Sequence, residues 1–204
     1  MTSSDTSVPL PVHVRRAGTG ELPRLGEVLR DAFADHPWTR WTIPDDDHIG
    51  RLAALQAIYL DHATRHGGRI WVSDELDAVA VFVPADLADP SPEQTERILA
   101  AHGDRVARLA AHEERMAGRR PAAEWTLATM GVLPAAQGSG RGSALLRAGL
   151  ADLAGSTVML ETSQPSNVRL YERHGFVIVE RLDGVVDGDG AGPPVWVMVA
   201  RPAG

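Results

Sequence analysis

The sequence of 204 residues contains neither cysteine nor lysine, and these two absences exclude several kinds of chemistry. Without cysteine there is no disulfide bond, no thiolate metal site and no cysteine nucleophile, which fits a reducing compartment. All 20 basic residues are arginine, so a P-loop lysine and a Schiff-base lysine are both excluded.

Long apolar runs and an excess of positive charge are also missing. No apolar stretch approaches the roughly 20 residues that a membrane-spanning helix needs, and the N-terminal MTSSDTSVPLP has no basic segment followed by an apolar one. We therefore expect no signal peptide, no membrane partner and a cytoplasmic protein. The net charge of -7 argues against a nucleic-acid partner and suits a positively charged substrate.

Hydrophobic periodicity predicts the element order β-α-α-β-β-insertion-β-α-β-α-β-β. We expect one α+β domain over residues 12–204, with a mixed, mostly antiparallel sheet of six to seven strands flanked by helices. Residues 1–11 are expected to be disordered or loosely tethered. The insertion between the third and fourth strands, residues 84–120, is predicted to be helical with a break at Gly103. Residues 33–44, rich in tryptophan and proline, are expected to form a loop.

The stretch MGVLPAAQGSGRGSALL, residues 130–146, joins a strand pattern to a helix pattern through glycines. Glycines at such a junction let backbone N–H groups approach an anion at the start of a helix. The missing lysine excludes a Walker A loop, and Ser143 stands where a Rossmann fingerprint needs its third glycine. Glu161, at the end of the next strand, keeps the dinucleotide alternative open. A glycine-rich turn without any ligand is the other alternative.

Two motifs resemble those of the GNAT superfamily of acyl-CoA N-acyltransferases: Gln137-x-x-Gly140-x-Gly142 after a strand, and YERHGF at residues 171–176. The resemblance implies acetyl-CoA (coenzyme A) as cofactor, with its pyrophosphate held by loop amides and by the positive end of the following helix. It also implies that main-chain groups of the fourth strand lie along the pantetheine. The implied cofactor-binding residues are Met130, Gly131, Val132, Gln137, Gly138, Ser139, Gly140, Arg141, Gly142, Ser143 and Asn167.

The same resemblance assigns two catalytic roles in a direct acetyl transfer within a ternary complex. Tyr171 would donate a proton to the departing CoA thiolate, since a phenol stays protonated at neutral pH. Glu161 would take a proton from the substrate ammonium, directly or through water. The alternatives are structural: a half-buried tyrosine with a satisfied hydroxyl, and a carboxylate that only orders a turn.

The sequence also resembles the puromycin N-acetyltransferases and their relatives over almost its full length, most strongly in the cofactor half. The substrate half departs from them, because His36 replaces an aromatic hydroxyl and residues 84–120 match poorly. The candidate substrate-binding residues are Phe33, His36, Trp38 and Trp41, whose aromatic faces suit a nucleoside or an aryl group. We expect a primary amine of a small molecule as acceptor, with an antibiotic or aminonucleoside as one class, and a monomer or homodimer. A peptide or protein acetyltransferase and a non-catalytic acyl-CoA-binding regulator are the alternatives. No metal site is expected, because His62 and His66 have no identifiable third ligand.

Overall fold

A computed structural model describes residues 12–184, 186–187 and 190–202 of the chain. The predicted N-terminal tether, residues 1–11, lies outside these ranges. Among the described residues, none of the helices combines the length and the apolar character that crossing a membrane requires.

Seven strands form one mixed sheet, in the spatial order β1-β2-β3-β4-β5-β9-β6. They are β1 (Val14–Arg16), β2 (Arg69–Ser73), β3 (Ala78–Pro84), β4 (Trp125–Val132), β5 (Val158–Thr162), β6 (Val177–Leu182) and β9 (Val195–Ala200). Neighbouring strands are antiparallel except for β4 and β5. The short strands β7 (Val186–Asp187) and β8 (Gly190–Ala191) pair only with each other. The predicted mixed, mostly antiparallel sheet is thus confirmed.

The helices flank this sheet and include the predicted insertion. They are α1 (Leu22–Phe33), α2 (Pro37–Thr42), α3 (His48–Arg65), α4 (Pro92–His102), α5 (Val106–Met116), α6 (Arg141–Asp152) and α7 (Pro165–Glu172). The insertion consists of α4 and α5, separated by a single 3-10 turn that begins at Gly103, so the predicted break is confirmed. Gly103 has a φ of +52°, a backbone conformation that favours glycine.

The prediction of a loop over residues 33–44 is wrong in part, because α2 lies inside it. Pro37 occupies the first position of this helix, where its fixed φ favours helix initiation and its missing N–H is not needed. The imidazole Nδ1 of His36 accepts a hydrogen bond from the Trp38 amide at 3.3 Å and caps the helix. Histidine is not among the common capping residues, so the sequence signal was weak.

Both faces of the sheet are buried at the central strand β3, which explains why its sequence AVAVFVP is continuously apolar. Ala80 and Phe82 belong to the core formed with α6, whereas Val79 and Val81 belong to the core formed with α1 and α3. A strand covered on both faces needs apolar residues at every position instead of alternating ones. Helix α6 approaches β3 so closely at Gly149 that a Cβ there would overlap the Phe82 ring.

We therefore predict that Gly149→Ala lowers the free energy of unfolding by about 1–3 kcal/mol, because it overpacks the core against Phe82. The matched control is Gly26→Ala in α1, a buried helical glycine whose Cβ would stand 3.9 Å from Leu60 Cδ1, an ordinary contact. There the better helix propensity of alanine should raise stability by up to about 1 kcal/mol. Urea unfolding measures both changes, and equal shifts in the two variants would contradict the packing argument.

Candidate active site

The site begins where β4 and β5 stop pairing. Their parallel ladder covers only Trp125–Leu127 on β4, and beyond Leu127 the edge of β4 that faces β5 has no strand neighbour. A register irregularity in the pairing of β3 with β4 falls at the same point, since Val81 pairs with Thr129 and Phe82 with Leu127. Ala128 is therefore the extra residue of a β-bulge, a feature that bends a strand and increases its twist. The bulge marks the point at which the sheet opens.

A cavity of about 450 Å³ occupies this opening and is lined mainly by apolar side chains. Helices α1, α2 and α3, the insertion, β4, β5 and α7 all contribute to its wall. Seven of the residues singled out from the sequence meet there: Phe33, His36, Trp38, Met130, Glu161, Asn167 and Tyr171. The volume is in the range of small-molecule binding sites.

Trp41, the remaining aromatic candidate, does not line the cavity. It is buried, with its ring centroid 5.4 Å from that of Trp38. On another side it packs so tightly against Gly192 that a Cβ there would lie 2.7 Å from the indole. Trp41 therefore supports Trp38 from behind, and the indole that reaches the cavity is that of Trp38.

His36 lines the cavity as a neutral group. Burial lowers the pKa of its imidazole to about 4, so the ring carries no charge at neutral pH. Its contact with Phe33, at a centroid distance of 5.1 Å and in an edge-to-face arrangement, completes an aromatic wall together with Trp38. This wall offers planar apolar surface and no positive charge.

The glycine loop lies outside the cavity lining, between the end of β4 and the start of α6. Gly138 and Gly140 have φ angles of +77° and +86°, and Gly140 is the residue immediately before the helix. Within the described part of the chain, the amides of residues 138–143 donate no hydrogen bond. Such unpaired amides at a helix N-terminus form an anion-binding surface. The loop thus has the conformation that its sequence predicted.

Side chains within this loop bind the loop itself. The Gln137 amide donates to the Val132 carbonyl at 3.2 Å. Arg141 donates from Nε to Asp77 at 2.7 Å and from Nη1 to the Ser139 hydroxyl at 2.8 Å, so its guanidinium ties the loop to the β2–β3 turn. Its Nη2 also lies 4.0 Å from a carboxylate oxygen of Glu75, so the phosphate contact expected from the sequence would have to compete with the acidic residues of this turn.

Two other cofactor-binding candidates lie at the end of β4, beyond the point where the strand pairs with β5. Gly131 and Val132 pair with Val79 and Ala78 of β3 and have no partner on β5. A Cβ at Gly131 would lie only 3.0 Å from Leu29 Cδ2, so the glycine allows α1 to approach the strand. Their main-chain groups on the β5 side have no strand partner, and main-chain groups of this strand are what the family resemblance places along the pantetheine.

On α7, Tyr171 is buried, and it lines the cavity. Its ring packs edge-to-face on Phe176 at 5.7 Å, while its hydroxyl makes no hydrogen bond to any described residue. Burial raises the pKa of Tyr171 well above its usual value, so the hydroxyl is protonated over the whole physiological range. The group can therefore donate a proton or a hydrogen bond into the cavity.

On the other wall, the carboxylate of Glu161 is hydrogen-bonded by one residue of the segment 84–120 and lies close to a second. Arg120 donates from Nε to Oε1 of Glu161 at 2.6 Å and forms two more hydrogen bonds, of 2.8 and 3.0 Å, to Glu113. His112 Nε2 lies 3.7 Å from Glu161 Oε2. Burial alone would raise the pKa of Glu161, but the neighbouring imidazole and guanidinium outweigh it and lower the pKa below its ordinary value.

Sequence reasoning missed His112, Glu113 and Arg120. A signal was present on α5, because Leu109, His112, Glu113 and Met116 follow the i, i+3, i+4, i+7 spacing of one helix face. Met116 is fully buried and the other three line the cavity. A histidine and a glutamate within an otherwise apolar face indicate a polar site beneath that face.

Comparison with known proteins agrees with this geometry. Residues 94–178 match the family model described as acetyltransferase (GNAT) domain. A Corynebacterium glutamicum structure described as histone acetyltransferase HPA2 and related acetyltransferase is 28% identical, with a TM-score of 0.71 over 95% of this chain and 97% of that one.

Two more distant structures share the fold. The Drosophila melanogaster polyamine N-acetyltransferase is 20% identical, with a TM-score of 0.64 over 94% of this chain and 100% of that one. The Salmonella typhimurium putative acetyltransferase yncA, solved with acetyl-CoA, is 17% identical, with a TM-score of 0.57 over 95% of each chain. The chain described here therefore has the GNAT fold, and its residues 94–178 match a GNAT acetyltransferase domain.

Proposed function

We propose that this chain is an acetyl-CoA-dependent N-acetyltransferase, which acetylates the primary amine of a small molecule with an aromatic or apolar body by direct transfer in a ternary complex. The observation that carries the proposal is the cavity of about 450 Å³ at the β4–β5 opening, with an aromatic wall on one side and Glu161 on the other. The insertion helices form part of its wall through Leu109, His112 and Glu113. Their presence over the opening disfavours an extended peptide, which needs an open groove.

The cofactor side of the proposal is supported by the loop at the start of α6. The unpaired amides of residues 138–143 suit a pyrophosphate, and the free edge of Met130–Val132 suits the amide groups of a pantetheine arm. Asn167 lines the cavity on the opposite side of the opening, with its side-chain amide unpaired among the described residues. Bound there, acetyl-CoA supplies an acetyl group activated as a thioester.

Charge on the acceptor side favours a cationic substrate. Glu113 and Glu161 line the cavity, and the salt bridge of Arg120 to both leaves this group with one net negative charge. One negative charge beside apolar walls matches an amine with a single ammonium group, whereas a polyamine needs a carboxylate for each further charge. The Tyr171 hydroxyl, on the other wall, holds the proton that a leaving sulfur requires.

The resemblance to puromycin N-acetyltransferases extends over AFADHPWTRW and LETSQPSNVRLYERHGF, so an aminonucleoside or another antibiotic amine is a specific candidate within this class. His36 stands where those enzymes carry an aromatic hydroxyl. It caps α2 in this chain and lines the cavity as a neutral ring. The acceptor can therefore differ in the part of the molecule that touches His36.

The test is a thiol-release screen with acetyl-CoA and four kinds of amine: puromycin, phenethylamine and tyramine, spermidine and agmatine, and a short peptide with a free N-terminus. We expect kcat/KM for the best aromatic monoamine to exceed that for the polyamines and the peptide by at least about ten-fold. A preference for the polyamines or the peptide would overturn the proposed acceptor class. Acetyl-CoA binding without turnover of any amine would favour a regulator.

A second prediction concerns the glycine loop. Gly140→Ala forces a side chain into the left-handed region, at a cost of about 1–2 kcal/mol, and displaces the amides that follow. We expect the Kd of CoA to rise by about ten-fold or more, measured by isothermal titration calorimetry. Gly155→Ala is the matched control, because Gly155 has a φ of +88°, equally open surroundings and a position at the far end of α6. An equal loss of CoA affinity in both variants would contradict the assignment.

A third prediction separates the role of Tyr171 in transfer from any role in folding. Tyr171→Phe removes a hydroxyl that has no partner among the described residues, so the melting temperature should not fall. Loss of the proton donor should lower kcat by about 10- to 1000-fold with little change in the Kd of CoA. An unchanged kcat for the best amine would show that the phenol only packs against Phe176.

A further inference from the structure

His112, on the insertion helix α5, is the titratable group of the cavity wall that stands nearest to Glu161 and has no assigned role. Its side chain is 8% exposed, and its ring packs edge-on against Trp38 with centroids 4.5 Å apart. Trp38 is itself supported by Trp41, whose ring is tilted by 57° against it, so the imidazole is backed on one side by two packed indoles. Its position is fixed by packing, as a group that acts on a substrate requires.

Glu161 is poorly suited to accept a proton by itself. The Arg120 guanidinium contacts Oε1 at 2.6 Å, and protonation of Glu161 would weaken that charge-assisted hydrogen bond. The pKa of Glu161 is lowered by these neighbours, which means that the carboxylate stays ionised and is a weak base. Its negative charge is therefore available to stabilise a neighbouring cation, and a different group is needed to take the proton.

The imidazole of His112 has the arrangement that this task requires. Nε2 lies on the Glu161 side, 3.7 Å from Oε2, so the neutral tautomer with hydrogen on Nε2 points its N–H toward a carboxylate. Nδ1 then carries the lone pair, and it has no hydrogen-bond partner among the described residues while the ring lines the cavity. A carboxylate that orients an imidazole through one nitrogen, leaving the other free to accept, is a general-base arrangement.

We propose that His112 accepts the proton of the substrate ammonium at Nδ1, and that Glu161 acts as a positioning residue which holds the ring and stabilises the imidazolium. This inference rests on the proposed function, because it assumes an amine in the cavity beside α5. It assigns a chemical role to the insertion: α5, its second helix, supplies the proton acceptor, and the segment after α5 supplies Arg120, which keeps Glu161 ionised.

In each transfer the substrate nitrogen gives up two protons, one to His112 and one that restores the phenol of Tyr171. The ammonium loses one proton to Nδ1, and the neutral amine attacks the thioester carbonyl, so that a C–N bond forms while the C–S bond breaks. The leaving sulfur takes the Tyr171 proton, and the second proton leaving the nitrogen restores the phenol, directly or through water. His112 then releases its proton to solvent, which gives one amide, one thiol and one free proton per turnover.

Several other charged or titratable groups surround His112, and each enters the pH dependence. Glu161 on β5 faces Nε2; Glu113 and Arg108 share α5; Arg120 follows that helix; His36 and Tyr171 line the same cavity. His36 is neutral and Tyr171 is protonated at neutral pH, since burial lowers the pKa of the first and raises that of the second. His36 and Tyr171 therefore keep a constant charge around neutrality.

The kinetic test measures kcat and kcat/KM as a function of pH, with the best amine, for His112→Gln and Glu161→Gln. His66→Gln is the control, because the His66 ring is exposed and lies outside the cavity lining. We expect His112→Gln to lower kcat by about 100-fold and to abolish the acidic limb of kcat/KM. Glu161→Gln should lower kcat but keep an acidic limb, moved to lower pH. An acidic limb that survives in His112→Gln and disappears in Glu161→Gln would overturn the proposal, and so would unchanged kinetics in His112→Gln.

A second measurement needs neither acetyl-CoA nor turnover. Imidazole NMR signals of the free enzyme are titrated with pH, and the His112 signals are identified by their absence in His112→Gln. Removing the Glu161 charge should destabilise the imidazolium and move the His112 titration to lower pH by roughly one unit, with no such shift in His66. No shift in Glu161→Gln would overturn the coupling even if no amine is found, whereas a shift without acetylation of any small amine would count against the proposed function alone.

Discussion

The separation of β4 from β5 is the constraint on which the rest of the site depends. Parallel pairing ends at Leu127, where the bulge at Ala128 twists β4 away from its neighbour. The unpaired stretch would expose backbone groups to solvent unless a ligand or a packed element covered them. The cavity lies at this point, with Met130 on the wall formed by β4 and Glu161 on that formed by β5. One irregularity in strand pairing thus provides the binding cleft and both of its walls.

Placing Glu161 at this opening carries an electrostatic cost that the insertion offsets. Burying a carboxylate without a partner costs several kcal/mol, and the neighbouring strands offer no cation. Arg120 satisfies Glu161 and Glu113 together, so three charges share one network at the edge of the cavity. The same contacts hold the carboxylate in its ionised form. The segment 84–120 is therefore needed for the electrostatics of the site as well as for its shape.

The parts of the molecule that the sequence predicted well are those formed by local pattern. The glycine loop, the helix that follows it and the continuously apolar strand β3 each depend on residues that are close together in the sequence. His112 could not be placed in this way, because its contact with Glu161 joins residues 49 positions apart, on α5 and β5. The sequence does not distinguish Trp38 from Trp41 as a substrate-binding residue. The packing of Trp41 against Gly192 explains why the Trp38 indole is the one that reaches the cavity.

In this chain without lysine, arginine side chains hold the insertion in place on the acceptor side of the molecule. Arg105 donates to the carbonyls of Arg40 and Ile43, and Arg108 donates to that of Trp41, so the insertion is held to the α2 region through backbone oxygens. A planar guanidinium can bind two carbonyls in fixed directions, whereas an ammonium group acts as a point charge. Because these bonds set where α5 lies, they also set the distance between His112 and Glu161. The orientation of the acceptor-side residues therefore depends on hydrogen bonds made by Arg105 and Arg108, which lie outside the cavity lining.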